Sequence, residues 1–328
     1  MDDAAIHTPV MLERTLELLA PALEREGAVA VDATLGMGGH AEAMLRAFPG
    51  LRVIGIDRDE DAIAIARRRL AFAADRLTIV HAVYDEIERA MNEGAVTRVT
   101  AVLFDLGVSS LQLDRAERGF AYAQDAPLDM RMDRSTGPTA ATILAEYPEG
   151  RLRRIFEEYG EEKLSARYAR RIVEARAAEP IATSAQLVRI IGDATPAAAR
   201  RPGNPAKRVF QALRIEVNGE LDALQRALPA ALDALEVGGR IVVLAYQSLE
   251  DRIVKRELAA RSASTAPRGL PMELPQHRPE LKLLVRGAEL ASPAEQTRNP
   301  RSIPVRLRAA ERLRPALSER SETKGRRA

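Results

Sequence analysis

The sequence predicts an α/β protein: a mostly parallel sheet with helices on both faces, interrupted by an all-helical insertion. Three observations carry that reading. Residues 1–105 alternate short apolar runs with helical stretches. The first apolar run ends in a glycine-rich turn that opens a helix. The stretch from Ser109 to Pro205 holds no good strand, and the α/β pattern returns at Ala206.

The elements follow in order. Ala28–Ala33 is a strand, Gly38–Phe48 a helix, and Leu51–Ile56 a second strand closed by Asp57. Asp59–Ala71 is an Ala/Ile/Arg helix. Leu77–His81 and Val99–Phe104 are further strands, with Glu86–Asn92 helical between them. Within the insertion, the loop Gly119–Pro138 precedes helical stretches near Arg151–Tyr159, Glu161–Ala178 and Ser184–Gly192. Beyond it, Phe210, Leu213, Val217, Leu221, Leu224 and Leu228 recur at helical spacing. Gly238-Gly239 ends that helical region. Arg240–Tyr246 reads as a buried strand and Leu249–Arg261 as a helix. Lys282–Arg286 and Ile303–Ala309 read as the last strands, paired at a hairpin edge. The expected domains are residues 1–108 with 206–312, a helical insertion over 109–205, and a disordered basic tail over 313–328.

Composition bounds the function. No apolar run in the 328 residues approaches the ~20 needed to span a bilayer. The acidic start, Met1-Asp-Asp-Ala-Ala-Ile-His7, lacks a basic-then-apolar signal pattern. A cytoplasmic protein with no membrane partner is expected. There is no cysteine, which excludes disulfides, Cys-ligated zinc, iron–sulfur clusters and a thiolate nucleophile. His7, His40, His81 and His277 show no metal-ligand spacing, so no metal is expected. Net charge is only +2, but basic residues cluster at Arg151–Arg154, Arg167–Arg171, Arg200–Arg208 and Arg320–Arg327. Such clusters are either a nucleic-acid footprint or Arg/Glu alternation on solvated helices.

The segment Asp32-Ala-Thr-Leu-Gly-Met-Gly-Gly-His40 follows the first strand. Glycines let backbone approach a ligand, and helix N-terminal N–H groups then face it. The spacing is G-x-G-G, without the third glycine of the dinucleotide pattern G-x-G-x-x-G. Asp57, ending the second strand, is placed to accept hydrogen bonds from both ribose hydroxyls. A turn without a ligand and a nicotinamide site are the alternatives to S-adenosylmethionine. The last is favoured, because Asp32 before the glycines suits a cationic ligand better than a pyrophosphate.

The chain resembles the 16S rRNA cytosine-N4 methyltransferase family of the small ribosomal subunit. The residues that carry the resemblance run in order from 7 to 255. They are His7-Thr-Pro-Val10, Asp32–His40, Gly55-Ile-Asp-Arg-Asp59, Asp105-Leu-Gly-Val-Ser-Ser110 and Gln112–Phe120, then Asp125–Asp133, Tyr159–Lys163, Phe210–Ile215 and Ser248–Lys255. Pro127-Leu-Asp-Met-Arg-Met-Asp133 and Ser248-Leu-Glu-Asp-Arg252 are the most specific.

The resemblance implies a Rossmann-like class I methyltransferase sheet and S-adenosyl-L-methionine as cofactor. It implies cofactor contacts from Gly38, Gly39 and His40 at the turn, Asp57 on the ribose, Tyr84 near the adenine, and Asp105 and Gln112 at the methionyl end. It implies 16S rRNA of the 30S subunit as partner, with the enzyme a monomer or homodimer. Two departures stand out. Tyr246-Gln247 replaces the usual Phe-His, and Asn204-Pro205-Ala206 replaces His-Pro-Ala. No histidine role is carried over at those points.

Methyl transfer is an in-line displacement that asks the enzyme for alignment and charge placement. Without cysteine, attack on cytosine carbon-5 is closed, which leaves a nitrogen or oxygen acceptor. Asp105, ending the fourth strand, contacts cofactor, contacts the acceptor amine, or merely caps the next turn. The sequence after it has no Pro-Pro-aromatic, so any ring stacked on a base comes from Phe120, Tyr122, Phe210 or Tyr246, each also a candidate for core packing. Lys207, Gln211, Arg214 and Asn218 share one helical face and, with Tyr246 and Ser248, are candidates for substrate binding. A solvated edge is the alternative. The loop Asp125–Asp133 either orders on RNA or pairs its own acids and arginines. A DNA methyltransferase and a ribosome-assembly factor without turnover are the rival functions.

Overall fold

A computed structural model describes residues 9–199, 204–267 and 274–315. His7 and Thr8, residues 200–203 of one basic cluster, residues 268–273, and residues 316–328 of the basic tail lie outside the described residues.

The chain opens with helix α1, Leu12–Leu23, which buries Thr15, Leu18, Leu19, Ala22 and Leu23 along one face. This helix has no counterpart among the expected elements. Strand β1 is Val29–Asp32, α2 Gly39–Ala47, β2 Arg52–Asp57 and α3 Glu60–Arg69. Asp59 caps α3 by accepting from the Asp61 N–H, and acids lead while arginines end it, as the helix dipole favours. Strand β3 is Leu77–His81, α4 Ile87–Glu93 and β4 Val99–Asp105.

Among the described residues, six α-helices follow without a strand: α5 Ser110–Asp114, α6 Ala140–Glu146, α7 Glu149–Glu158, α8 Ser165–Ala178, α9 Ser184–Ala194 and α10 Lys207–Asn218. Then come α11 Glu220–Ala234, β5 Leu235–Ala245, α12 Ser248–Ser262, β6 Leu281–Leu283, α13 Pro293–Arg298 and β7 Arg306–Arg312.

The seven strands form one sheet in the order β3-β2-β1-β4-β5-β7-β6. The first five strands run parallel, and β7 is antiparallel to both β5 and β6. The expected final pair is therefore present, but β7 sits inside β6. Buried strand residues alternate between two cores. Val29, Val31, Ile54, Val102 and Val243 pack with α4, α11 and α12. Ala30, Val53, Leu103 and Val242 pack with α1 and α2 on the other face. Strands covered on both faces read as continuous apolar runs, which is why they were visible in the sequence.

Two compact units result: residues 1–107 with 222–328, and residues 108–221. The second unit has its own core, in which Val209, Phe210, Ala212 and Leu213 of α10 join Leu144, Phe156, Tyr168 and Leu187. The return to the sheet unit thus comes at Asp222, not at Ala206. The apolar stripe from Phe210 to Leu228 is likewise two helices. Gly219, with φ +59, breaks them in the left-handed conformation that glycine tolerates best. Gly238-Gly239 lies within β5 rather than ending a helix, beside a register shift against β4.

Asn218 is the clearest correction to the expected substrate face. It is buried, its Nδ2 donates to the Met130 and Arg214 carbonyls at 2.8 Å each, and its Oδ1 accepts from the Met132 N–H at 2.8 Å. It fastens the loop 128–133 to α10. Asn218→Ala leaves three backbone-facing bonds unmade. It is expected to destabilise the protein by about 2–4 kcal/mol. Denaturant melts at fixed cofactor concentration read this directly.

Candidate functional site

In the sheet order, β2 and β3 lie to one side of β1 and β4 to the other. Connections leaving β1 and β4 in opposite directions open a crevice at their carboxyl ends, where sheets of this kind hold ligands. The ends of β1, β2 and β4 each carry an aspartate: Asp32, Asp57 and Asp105.

Short hydrogen bonds lace the glycine turn to the neighbouring strands. The Thr34 N–H donates to Asp32 Oδ1 at 3.2 Å, while Thr34 Oγ1 accepts from the Asp105 N–H at 2.6 Å. Asp57 Oδ2 accepts from the Gly36 N–H at 2.6 Å, and its Oδ1 accepts from the Asp59 N–H at 2.8 Å. Asp57 thus organises the turn as well as facing its mouth. Gly38 caps α2 at φ +81, and a Cβ there would lie 3.0 Å from Leu70 Cδ1. A Cβ on Gly39 would lie 2.5 Å from Pro9 Cγ. The turn needs Gly38 for its left-handed conformation and Gly39 for space.

His40 is buried, and its Nε2 has no hydrogen-bond partner. Burial, with Arg69 nearby, holds its imidazole down at about 4, so it is neutral at physiological pH. An unmade bond on a buried ring nitrogen is costly and suits a ligand polar group.

The carboxylates are pushed the other way. Burial raises Asp32 to about 7, against the Thr34 N–H bond, and the charges of Asp105 and Asp57 add to the rise. Burial raises Asp105 to about 6, opposed by the hydroxyl of Tyr246. Burial also raises Asp57, opposed by its backbone donors. Asp32, buried beside the charges of Asp105 and Asp57, resists ionising, which favours a positively charged ligand among them.

The other expected residues fall less uniformly. Tyr246 is tied at its tip: its hydroxyl donates to Asp105 Oδ1 at 2.8 Å. Tyr84 stands edge-on to Phe104, ring centroids 5.8 Å apart, just after β3. Phe210 is core, edge-on to Tyr122. Gln112 lies in the second unit, buried, and shares a capping box with Ser109. Ser248 is the exposed first residue of α12.

The supposed polar face of α10 runs from exposed Lys207 to buried Asn218. Gln211 donates to the Tyr159 carbonyl at 2.9 Å, and Arg214 forms a two-pronged pair with Glu220 at 2.8 and 2.9 Å. Those two groups serve the unit's own structure. The loop Asp125–Asp133 also pairs internally, with Arg131 against Asp129 at 2.8 and 3.0 Å. Much of the basic clustering is neutralised locally: Arg151 with Glu216, Arg154 with Glu158, and Arg171 with Glu174.

Sequence reasoning missed what the Ser248–Arg252 segment does. Glu250 Oε2 accepts from the Tyr246 and Gln247 N–H groups at 3.0 Å each, closing the start of α12. Asp251 pairs with Arg308 of β7 at 2.7 and 3.2 Å. The capping box Gln247-x-x-Glu250 was the available signal.

A family model described as "MraW methylase family" matches residues 4–313. The chain is 69% identical over 314 residues to the ribosomal RNA small subunit methyltransferase H of Clavibacter michiganensis subsp. michiganensis, covering 96% of this chain and 98% of that protein. The proteins of the same name from Leifsonia xyli and Thermobifida fusca are 65% and 61% identical. These matches cover 96% and 95% of this chain, and 97% and 94% of theirs.

Proposed function

This chain belongs to the MraW methylase family, and from that premise we propose that it methylates the exocyclic N4 of a cytidine in 16S rRNA of the 30S subunit. The methyltransferase activity comes with the family. The rRNA substrate is drawn from relatives named ribosomal RNA small subunit methyltransferase H that match nearly the whole chain. The observation that carries the site assignment is the convergence of Asp32, Asp57 and Asp105 with neutral His40 around one glycine turn.

The residues fit S-adenosyl-L-methionine, which when bound supplies an electrophilic methyl group on a sulfonium. Asp57 takes the ribose hydroxyls on the carboxylate that also anchors Gly36. Gly38 and Gly39 admit the ligand's close approach, and His40 Nε2 gains the partner it lacks within the protein. Tyr84 closes the adenine side. Asp32 and Asp105 offset the ligand's positive charge.

Cytosine N4 is a weak nucleophile because its lone pair is delocalised into the ring. Asp105 Oδ1 is occupied by Tyr246, while Oδ2 has no partner among the described residues and is available to the acceptor amine. With no cysteine in the chain, no covalent adduct at carbon-5 forms, and transfer to N4 is direct and in line. Arg167 and Arg170 are exposed and make no ion pair among the described residues. With Lys207 they are the proposed phosphate contacts. No helix among the described residues is long and apolar enough to cross a membrane, and the proposed place of action is the cytoplasm.

Radiolabelled methyl donor offered with 30S particles, protein-free 16S rRNA or duplex DNA tests the substrate. Label entering the 30S particles and not DNA is expected. Label in DNA alone, or binding of donor without transfer to any of the three, would overturn the proposal.

A further inference from the structure

We propose that Tyr246 is a positioning residue for Asp105: its hydroxyl holds one carboxylate oxygen in place so that the other is presented, ionised, to the reacting groups. The inference rests on the reading of Asp105 as a site residue. Tyr246 follows the last residue of β5, one strand over from β4. The two strands pair in register up to Asp105 opposite Leu244. That register brings the phenol to Asp105 Oδ1 at 2.8 Å.

The ring has little freedom to leave. A Cβ built on Gly107 would meet its Cδ2 at 3.6 Å, so the ring lies against that bare backbone. Its own N–H is bonded to Glu250 Oε2 at 3.0 Å, which ties it to the start of α12. Phenylalanine at this position would fill the same space without holding Asp105.

The groups facing this pair are mostly acidic. Asp32 approaches from β1, Glu250 from α12 and Glu295 from α13. Burial disfavours ionisation of Asp105, and the Asp105 and Asp32 charges oppose one another. The Tyr246 hydroxyl works against them and lowers the carboxyl's affinity for a proton. Tyr246 itself is held well above its ordinary range, by burial and then by the Asp105 charge, so it remains a donor across the working pH.

The test is a carboxyl ¹³C titration of ligand-free protein labelled at aspartate, with the Asp105 resonance assigned by its loss in Asp105→Asn. In Tyr246→Phe the Asp105 midpoint moves upward by about one pH unit, a tenfold change in proton affinity. A midpoint that stays put, or moves down, overturns the proposal, whatever happens to activity. Transfer to 30S particles is measured in parallel. The acid limb of the Tyr246→Phe profile moves up with the midpoint. Retained transfer in Asp105→Asn would instead remove Asp105 from the site, and would do so even if the midpoint had moved. Asparagine at 105 still accepts from Tyr246, so that variant keeps its fold while losing the charge.

Discussion

Asp57→Ala is expected to raise the dissociation constant for S-adenosylmethionine by about 100-fold or more, since a hydrogen bond to a charged group is worth roughly 1.5–3 kcal/mol. Two losses act together. The ribose hydroxyls lose their acceptor, and the Gly36 and Asp59 N–H groups lose theirs at 2.6 and 2.8 Å. The turn that admits the ligand therefore loosens at the same moment as the contact disappears. Asp57→Asn retains one acceptor oxygen and recovers part of the affinity. Calorimetric titration with the cofactor and with S-adenosylhomocysteine separates these effects from catalysis. Unchanged affinity in the alanine variant would sink the ribose assignment.

Asp32→Asn is expected to do two opposite things. Asp32 is buried, and its folded-state value is raised from 3.8 to about 7. Between those values the folded protein holds a proton that the unfolded chain has released. Stability therefore falls as pH rises from about 4 to 7, and the full cost is present above 7. Asparagine removes that cost and still accepts from the Thr34 N–H. Without ligand, the variant should be more stable than the parent at pH 8 by on the order of 2–4 kcal/mol, and no more stable at pH 4.

Cofactor binding runs the other way. A cation stabilises the ionised carboxylates, so affinity in the parent falls as pH drops through about 7 and then about 6, where Asp32 and Asp105 take up protons. The variant binds more weakly at pH 8 and loses the upper part of that dependence. Thermal unfolding with and without cofactor at pH 5 and pH 8 measures both effects. A variant that is less stable than the parent at pH 8 without ligand would contradict the electrostatic account of the site.

The buried strands and the glycine turn were readable because their signals are local. β1, β2 and β4 are short apolar runs ending in Asp32, Asp57 and Asp105, and each aspartate could be picked out separately. That Asp32 senses the charges of the other two depends on strand order, which no local pattern contains. The α10 face shows the opposite case. Lys207, Gln211, Arg214 and Asn218 have one helical phase, but tertiary packing uses them differently, from solvent at Lys207 to a buried loop anchor at Asn218.

Gly219 went unseen as a break because α11 resumes with its apolar residues close to the phase of α10. α1 was passed over although its amphipathic pattern was present in the sequence. Tyr246 was one of four rings open to either stacking or core packing, and only the β4–β5 register reveals that its hydroxyl is committed to Asp105.

The most direct test of the account is the identity of the modified nucleoside. The 30S particles are methylated by the purified protein, and their 16S rRNA is digested to nucleosides and resolved by mass spectrometry against standards. N4-methylcytidine is the predicted product, and it should disappear in Asp57→Ala. Methylation at carbon-5 of cytosine, or on a base other than cytosine, would contradict the central claim.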